Sequence, residues 1–141
     1  MTGVKKPEMN SVVIDASVIL QAAQREQGYE SVLPFLRTGM VSAVNLAESV
    51  NKLIREGMPR AVAEEALRPL IWNVVPFTAE HAWEVGRMRE RAGKMELALG
   101  DLACLAAGRC LKLPVLTNDS KWLDIDFGVT IQLGRKRKAR S

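Results

Sequence analysis

Asp15, Glu48, Asp101 and Asp119 are four acidic residues spread through a chain of 141, each placed where a strand ends or a helix begins. Oxygen-only sets of this kind hold hard divalent cations such as Mg²⁺ or Mn²⁺, an arrangement suited to phosphodiester chemistry. Carboxylates held close together repel one another, and a divalent cation offsets that repulsion. It also lowers the pKa of a water for attack on phosphorus and steadies the charge on a transferring phosphoryl group. Taken singly, each acid has a plainer explanation. Asp15 and Asp101 suit helix N-caps. Glu48 precedes Lys52 by four residues, the favourable order for a helical ion pair, and Asp119 in Thr-Asn-Asp-Ser can close an Asx-turn. Their joint placement is what raises the chemical reading.

The elements that must position these acids alternate between strand and helix, without repeats or low-complexity linkers, which argues for a parallel α/β sheet. Val12 to Ile14 reads as a short buried strand, and Asp15, Ala16 and Ser17 open a helix reaching about Gln24. A helix from about Glu30 to Arg37 stops at Gly39. A brief strand at Met40 and Val41 leads to a helix from about Ala43 to Glu56, whose apolar side carries Leu46, Val50, Leu53 and Ile54 and whose polar side carries Asn45 and Glu48. Helices over Pro59–Leu70 and Ala79–Ala92 flank a strand at Val74 and Val75. Asp101 to Leu111 is almost continuously apolar, as expected of a helix buried against a sheet. Pro114 to Leu116 leads into a strand, Ser120 to Leu123 forms one helical turn, and Val129 to Leu133 supplies the last strand. In an open parallel sheet the crevice lies at the carboxyl ends of the strands, so Asp15 and Asp119 share that edge. For Glu48 and Asp101 to join them, their helices must start near the same crevice.

The length suits one domain with a sizeable core. Cys104 and Cys110 fit no Cys-x-x-Cys pattern and read as reduced core residues. With neither an export signal nor a long apolar run in view, a cytoplasmic protein without membrane insertion is expected. Of the net charge of +4, Arg135, Lys136, Arg137, Lys138 and Arg140 supply five positive charges, which leaves the body about neutral. Such a tail contacts phosphates or is simply solvated.

Four stretches then carry a resemblance: Val-Ile-Asp-Ala-Ser-Val-Ile-Leu at 13–20, Ser-Ala-Val-Asn-Leu-Ala-Glu at 42–48, Leu-Ala-Leu-Gly-Asp-Leu-Ala-Cys-Leu-Ala at 97–106, and Leu-Pro-Val-Leu-Thr-Asn-Asp with Trp122 at 113–122. In order and spacing the chain resembles the PIN domain, in particular the VapC-like toxins of toxin–antitoxin pairs. The resemblance implies a three-layer α/β/α domain over residues 10–133, with a short, mainly parallel sheet of four to five strands. Residues 1–9 would be a flexible extension and 134–141 a basic, disordered tail. It further implies a metal-dependent endoribonuclease in which Asp15, Glu48, Asp101 and Asp119 hold Mg²⁺ or Mn²⁺, supported by Ser17, Asn45 and Thr117. RNA substrate, a cognate antitoxin and a homodimer are the partners implied. The antitoxin's C-terminal segment would lie across the helices between Gln21 and Leu70 and send a basic side chain towards the acids. Relatives often carry a hydroxyl residue at the position of Ala98 and alanine at that of Leu102; neither departure removes an acid. Asp126 aligns with a further acid of some relatives, with Asp124 close enough to confuse the assignment.

Other residues rank lower. His81, the lone histidine, suits a surface or partly packed helical position. Trp72, Trp83 and Trp122 are scattered and read as core or partner contacts rather than base-stacking platforms. Arg87, Arg89 and Arg91 could line an RNA groove if they faced the crevice. A receiver-like phosphoacceptor also clusters acids at strand ends, but its paired acid near the first strand and its late lysine are missing here. A PIN-type module that binds RNA without cutting it is the remaining alternative.

Overall fold

The computed structural model describes residues 11–135. The extension at 1–9 and nearly all of the basic tail lie outside them. Five short strands form in chain order: β1 (Val13–Ile14), β2 (Val41–Ser42), β3 (Val74–Val75), β4 (Val115–Thr117) and β5 (Ile131–Leu133). All the pairings are parallel. β1, β4 and β5 form one hydrogen-bonded ladder and β2 with β3 another. A single parallel bridge, Val13 with Met40, joins the two halves. It is held by Ile14 N–H donating to Met40 O at 2.8 Å and Met40 N–H to Val12 O at 2.7 Å. The expected four to five strands are therefore present, with a seam one residue wide between β1 and β2.

Among the described residues six α-helices cover the sheet: α1 (Ala16–Ala23), α2 (Leu33–Thr38), α3 (Ala43–Arg55), α4 (Arg60–Leu67), α5 (Ala79–Ala92) and α6 (Leu99–Leu111). Side chains alternate across a strand, so Val12, Ile14 and Leu116 pack with α1, α2 and α4 on one face, while Val13 and Val115 pack with α5 and α6 on the other. This gives three layers, with both sheet faces buried as a parallel sheet requires. Gly108 allows α6 to lie close: a Cβ there would stand 2.5 Å from Val115 Cγ2. Trp122 and Phe127, both buried, seal the α5–α6 side.

Helix boundaries follow local chemistry. Ser42 caps α3 by accepting Val44 N–H at 3.2 Å, and Thr78 caps α5 by accepting His81 N–H at 3.3 Å. Lys112, at φ 58°, turns the chain out of α6 in the left-handed conformation. Two expectations change. His81 is buried, its ring edge-on to Phe77 at 6.2 Å, so it belongs to the packed interior. Of the two cysteines only Cys104 is core; Cys110 is partly exposed.

Candidate active site

Asp15 follows β1 directly, and its N–H donates to Leu116 O at 2.9 Å, which fixes it at the carboxyl edge of the sheet. Its side chain is buried and does not cap α1. Two hydroxyls donate to Oδ2 instead: Ser17 Oγ at 2.6 Å and Thr117 Oγ1 at 2.9 Å. Oδ1 carries no hydrogen bond. Thr117, the last residue of β4, also accepts Asp119 N–H at 3.1 Å, while Ser17 Oγ accepts Asn118 N–H at 3.1 Å. The ends of β1 and β4 are thus cross-tied through hydroxyl groups around one carboxylate.

Glu48 sits in the second turn of α3. It makes no ion pair with Lys52 within 4.0 Å; Asn45 Nδ2 donates to its Oε1 at 3.3 Å. The same Nδ2 donates to Gly100 O at 3.0 Å, tying α3 to the first turn of α6. Gly100 has a steric role, since a Cβ there would overlap the Glu48 carboxylate. Asp101 is the third residue of α6, where its Oδ2 accepts Ala98 N–H at 2.9 Å. That is one half of a capping box. Alanine at 98 has no oxygen for the other half, so helix α6 keeps its reciprocal cap unmade.

Asp15, Glu48 and Asp101 line one open cavity of about 630 Å³, together with Ser17, Leu20, Asn51, Lys52, Arg55 and Glu56. Asp119 is not part of that lining. Its Oδ1 accepts Lys121 N–H at 3.0 Å and caps the short 3₁₀ turn Ser120–Asp124. The Asx-turn expected from the sequence is thus formed.

Electrostatics reveal the crowding. Burial pushes the Asp15 carboxyl up to about 6; the Ser17 and Thr117 hydroxyls oppose that rise, and the Asp101 and Glu48 charges add to it. Burial raises Glu48 as well, opposed by the Asn45 hydrogen bond, raised again by Asp101 and eased by the Lys52 charge. Asp101 is raised by burial, eased by the Ala98 N–H and pushed further by Asp119. Beneath them the Cys104 thiol is driven up by burial and by Asp15, Asp101 and Glu48, which leaves it inert as a nucleophile. All four acids therefore feel one another in a connected chain. Among the described residues, however, no three His, Cys, Asp or Glu side chains are arranged to hold one metal ion as they stand.

Comparison with known proteins decides the family. The family model for the PIN domain matches residues 12–128. The chain belongs to the PIN domain family. Solved PIN folds align closely. VapBC2 of Rickettsia felis, bound to a DNA fragment from its promoter, superimposes with TM-score 0.71 at 15% identity over 87% of this chain and 98% of that one. FitAcB of Neisseria gonorrhoeae gives 0.66 at 23% identity over 85% and 95%. VapC20 of Mycobacterium tuberculosis, a toxin that cleaves the sarcin-ricin loop, gives 0.61 at 20% over 83% and 92%. At these identities the likeness is one of fold. No curated protein sequence gives a significant match.

Within this PIN domain the remaining candidates fall away from the cavity. Arg89 donates to Gly93 O and Met95 O, and Arg91 donates to Asp126 O at 3.3 Å. Arg87 lies 3.8 Å from Glu84. These arginines brace α5 and the loop before β5. Asp126 caps Gly128 N–H at 2.8 Å, remote from the acids. Two residues outside the cavity lining support its walls. Gln21 is a lone polar residue in the apolar run of α1; it is buried, and its Oε1 accepts Asn118 Nδ2 at 2.9 Å. Gly100 stands immediately before Asp101, and only the packing of Glu48 reveals its role.

Proposed function

We propose that this PIN domain is a metal-dependent endoribonuclease that hydrolyses RNA phosphodiester bonds and serves, in the cytoplasm, as the toxin of a toxin–antitoxin pair. The observation that carries this reading is the sharing of one cavity by Asp15, Glu48 and Asp101, with every carboxyl raised by burial and by its acidic neighbours. Such crowding is costly for the protein alone and favourable once a divalent cation is bound.

The donor set fits Mg²⁺ or Mn²⁺ by its chemistry: all oxygen, with Asp15 Oδ1 free of hydrogen bonds. Asp15, Glu48 and Asp101 would hold the ion, and Asp119 would join them by turning its side chain away from Lys121. When bound, the cation supplies an activated water and charge neutralisation at phosphorus. The chain's own part is positional. Ser17 and Thr117 orient Asp15, Asn45 and Gly100 set the Glu48 carboxylate against α6, and the buried floor at Cys104 keeps the charges in a low-dielectric setting.

An antitoxin partner is supported by an apolar groove of about 300 Å³ lined by Leu46, Val50, Leu67, Ile71 and Val74, with Glu64 and Arg68 at its rim. Around this groove Val32, Leu36, Ala63 and Leu67 are buried in the core. Val62, Trp72 and Val74 remain exposed for a partner or a second copy. Among the described residues no helix is long and apolar enough to cross a membrane. The open spacing of the acids also suits a non-cleaving RNA-binding module. Incubating total RNA with the purified protein in Mg²⁺, Mn²⁺ or EDTA, and mapping the ends, separates the two. Metal-dependent cuts that vanish in Asp15→Asn and Asp101→Asn support the nuclease; full cleavage by Asp101→Asn sinks the four-acid site.

A further inference from the structure

Glu48, Lys52 and Arg55 follow one another at intervals of four and three residues, so they share one face of α3. All three line the cavity that also holds Asp15 and Asp101. The cavity therefore has two electrostatic ends. One carries the buried acids; the other, towards the last turn of α3, carries two exposed cations with Asn51 between the two ends.

Neither cation forms a close ion pair, although the Lys52 charge eases the Glu48 carboxyl through space. Glu48 bonds to Asn45, leaving Lys52 without an ion pair within 4.0 Å, and Arg55 likewise makes none among the described residues. Glu56, the one further acid in this lining, accepts Gln24 Nε2 at 3.2 Å and is held towards α1. The other arginines considered above are committed to α5 and its loop. Lys52 and Arg55 are thus exposed cations without close ion pairs next to the acids, where a polyanion entering an acidic cleft would need attraction most.

We infer that Lys52 and Arg55 form a phosphate track that seats the RNA strand on one side of the scissile bond, along the C-terminal half of α3. The inference rests on the nuclease reading and extends it: the acids serve the reacting phosphate, and these two cations serve the phosphates beside it. They are positioning residues. Contacts of this kind are insensitive to base sequence and sensitive to salt. The same cations would also attract an acidic peptide, and competition decides between the two.

The test compares the wild type with Lys52→Ala/Arg55→Ala on two substrates in Mg²⁺ or Mn²⁺. One is a fluorescein-labelled single-stranded RNA of mixed sequence, read by anisotropy and by cleavage; the other is bis-(p-nitrophenyl) phosphate, which has no flanking phosphates. For RNA, the double variant should bind on the order of tenfold more weakly, with a log-affinity against log-salt slope shallower by roughly 1.4. Its KM should rise while kcat changes little. Hydrolysis of the small diester should fall far less than RNA binding, since the Lys52 charge on Glu48 links these cations to the acids only through space, and Lys52→Arg/Arg55→Lys should restore RNA binding. Equal RNA affinity and equal salt slopes in wild type and double variant overturn the inference, as does an acidic peptide that displaces no RNA yet binds only when both cations are present. A wild type that binds RNA with this salt signature but cuts neither substrate leaves the track standing and removes the nuclease reading.

Discussion

Thr117 Oγ1 donates to Asp15 Oδ2 at 2.9 Å in a buried contact between residues 102 apart in sequence. The bond joins the last residue of β4 to the residue just after β1, so the two strand ends are locked by the carboxylate that lies between them. Because the hydroxyl stabilises the ionised form, it works against burial in setting where Asp15 titrates.

Thr117→Val keeps the shape and removes that donor. The Asp15 carboxyl should then rise further above about 6. The metal-free protein should lose about 1–2 kcal/mol above that pH. Urea unfolding in EDTA measures the loss, and NMR titration of the Asp15 carboxyl measures the shift.

Asp15→Asn should stabilise the metal-free protein at neutral pH. In the folded chain Asp15 releases its proton near pH 6, against an ordinary 3.8. Between those values the folded state keeps a proton that the unfolded chain has lost, so the stability associated with Asp15 falls as pH rises through that window. The gap between the two values corresponds to about 3 kcal/mol at most. Melting in EDTA should find the variant more stable than the wild type above pH ~7, with the two converging below pH ~4. Mg²⁺ at a thousandfold excess over Kd should reverse the order, raising the wild type by about 4.1 kcal/mol and leaving the variant unmoved.

Gly100→Ala separates position from stability. The added methyl meets the end of a flexible side chain, so the fold should tolerate it while Glu48 is displaced from its seat beside Asn45. Cleavage should fall by about tenfold or more, with a change in unfolding free energy below about 1 kcal/mol. A fully active Gly100→Ala would show that Glu48 needs no fixed seat.

Trp122→Ala tests the core under α5 and α6. Trp122 is buried in the core cluster under α5 and α6, so its contribution is mainly packing. Losing it should cost about 3–5 kcal/mol in denaturant unfolding.

Much of this was legible in the chain. Strand ends announced Asp15 and Asp119 because a parallel sheet fixes where its loops go, and the apolar run after Asp101 announced a helix packed on that sheet. The face of α3 was harder to read. Its apolar residues point along Leu46, Val50 and Ile54, yet the buried positions include Asn45 and Ser49. Those polar residues are tolerated inside because their partners are Gly100 O and Asn45 O, supplied by a neighbouring helix and by the preceding turn. Periodicity counts apolar residues and is blind to such pairings. His81 was misjudged for another reason: its polarity hid its place on the inward stripe of α5 with Val85, Met88 and Ala92.

The bridge between Val13 and Met40 divides the acids into two mechanical groups. Asp15 and Asp119 ride on the three-stranded ladder, and Glu48 follows the β2–β3 pair across the seam. Separation within the first group is fixed by a braced frame, whereas the gap to Glu48 is spanned by one backbone bridge, the Asn45–Gly100 stitch and the packing of α3 on its neighbouring helices. The site is thus assembled from a continuous ladder on one side and packed helices on the other, and a bound ion would have to close the distance across that joint.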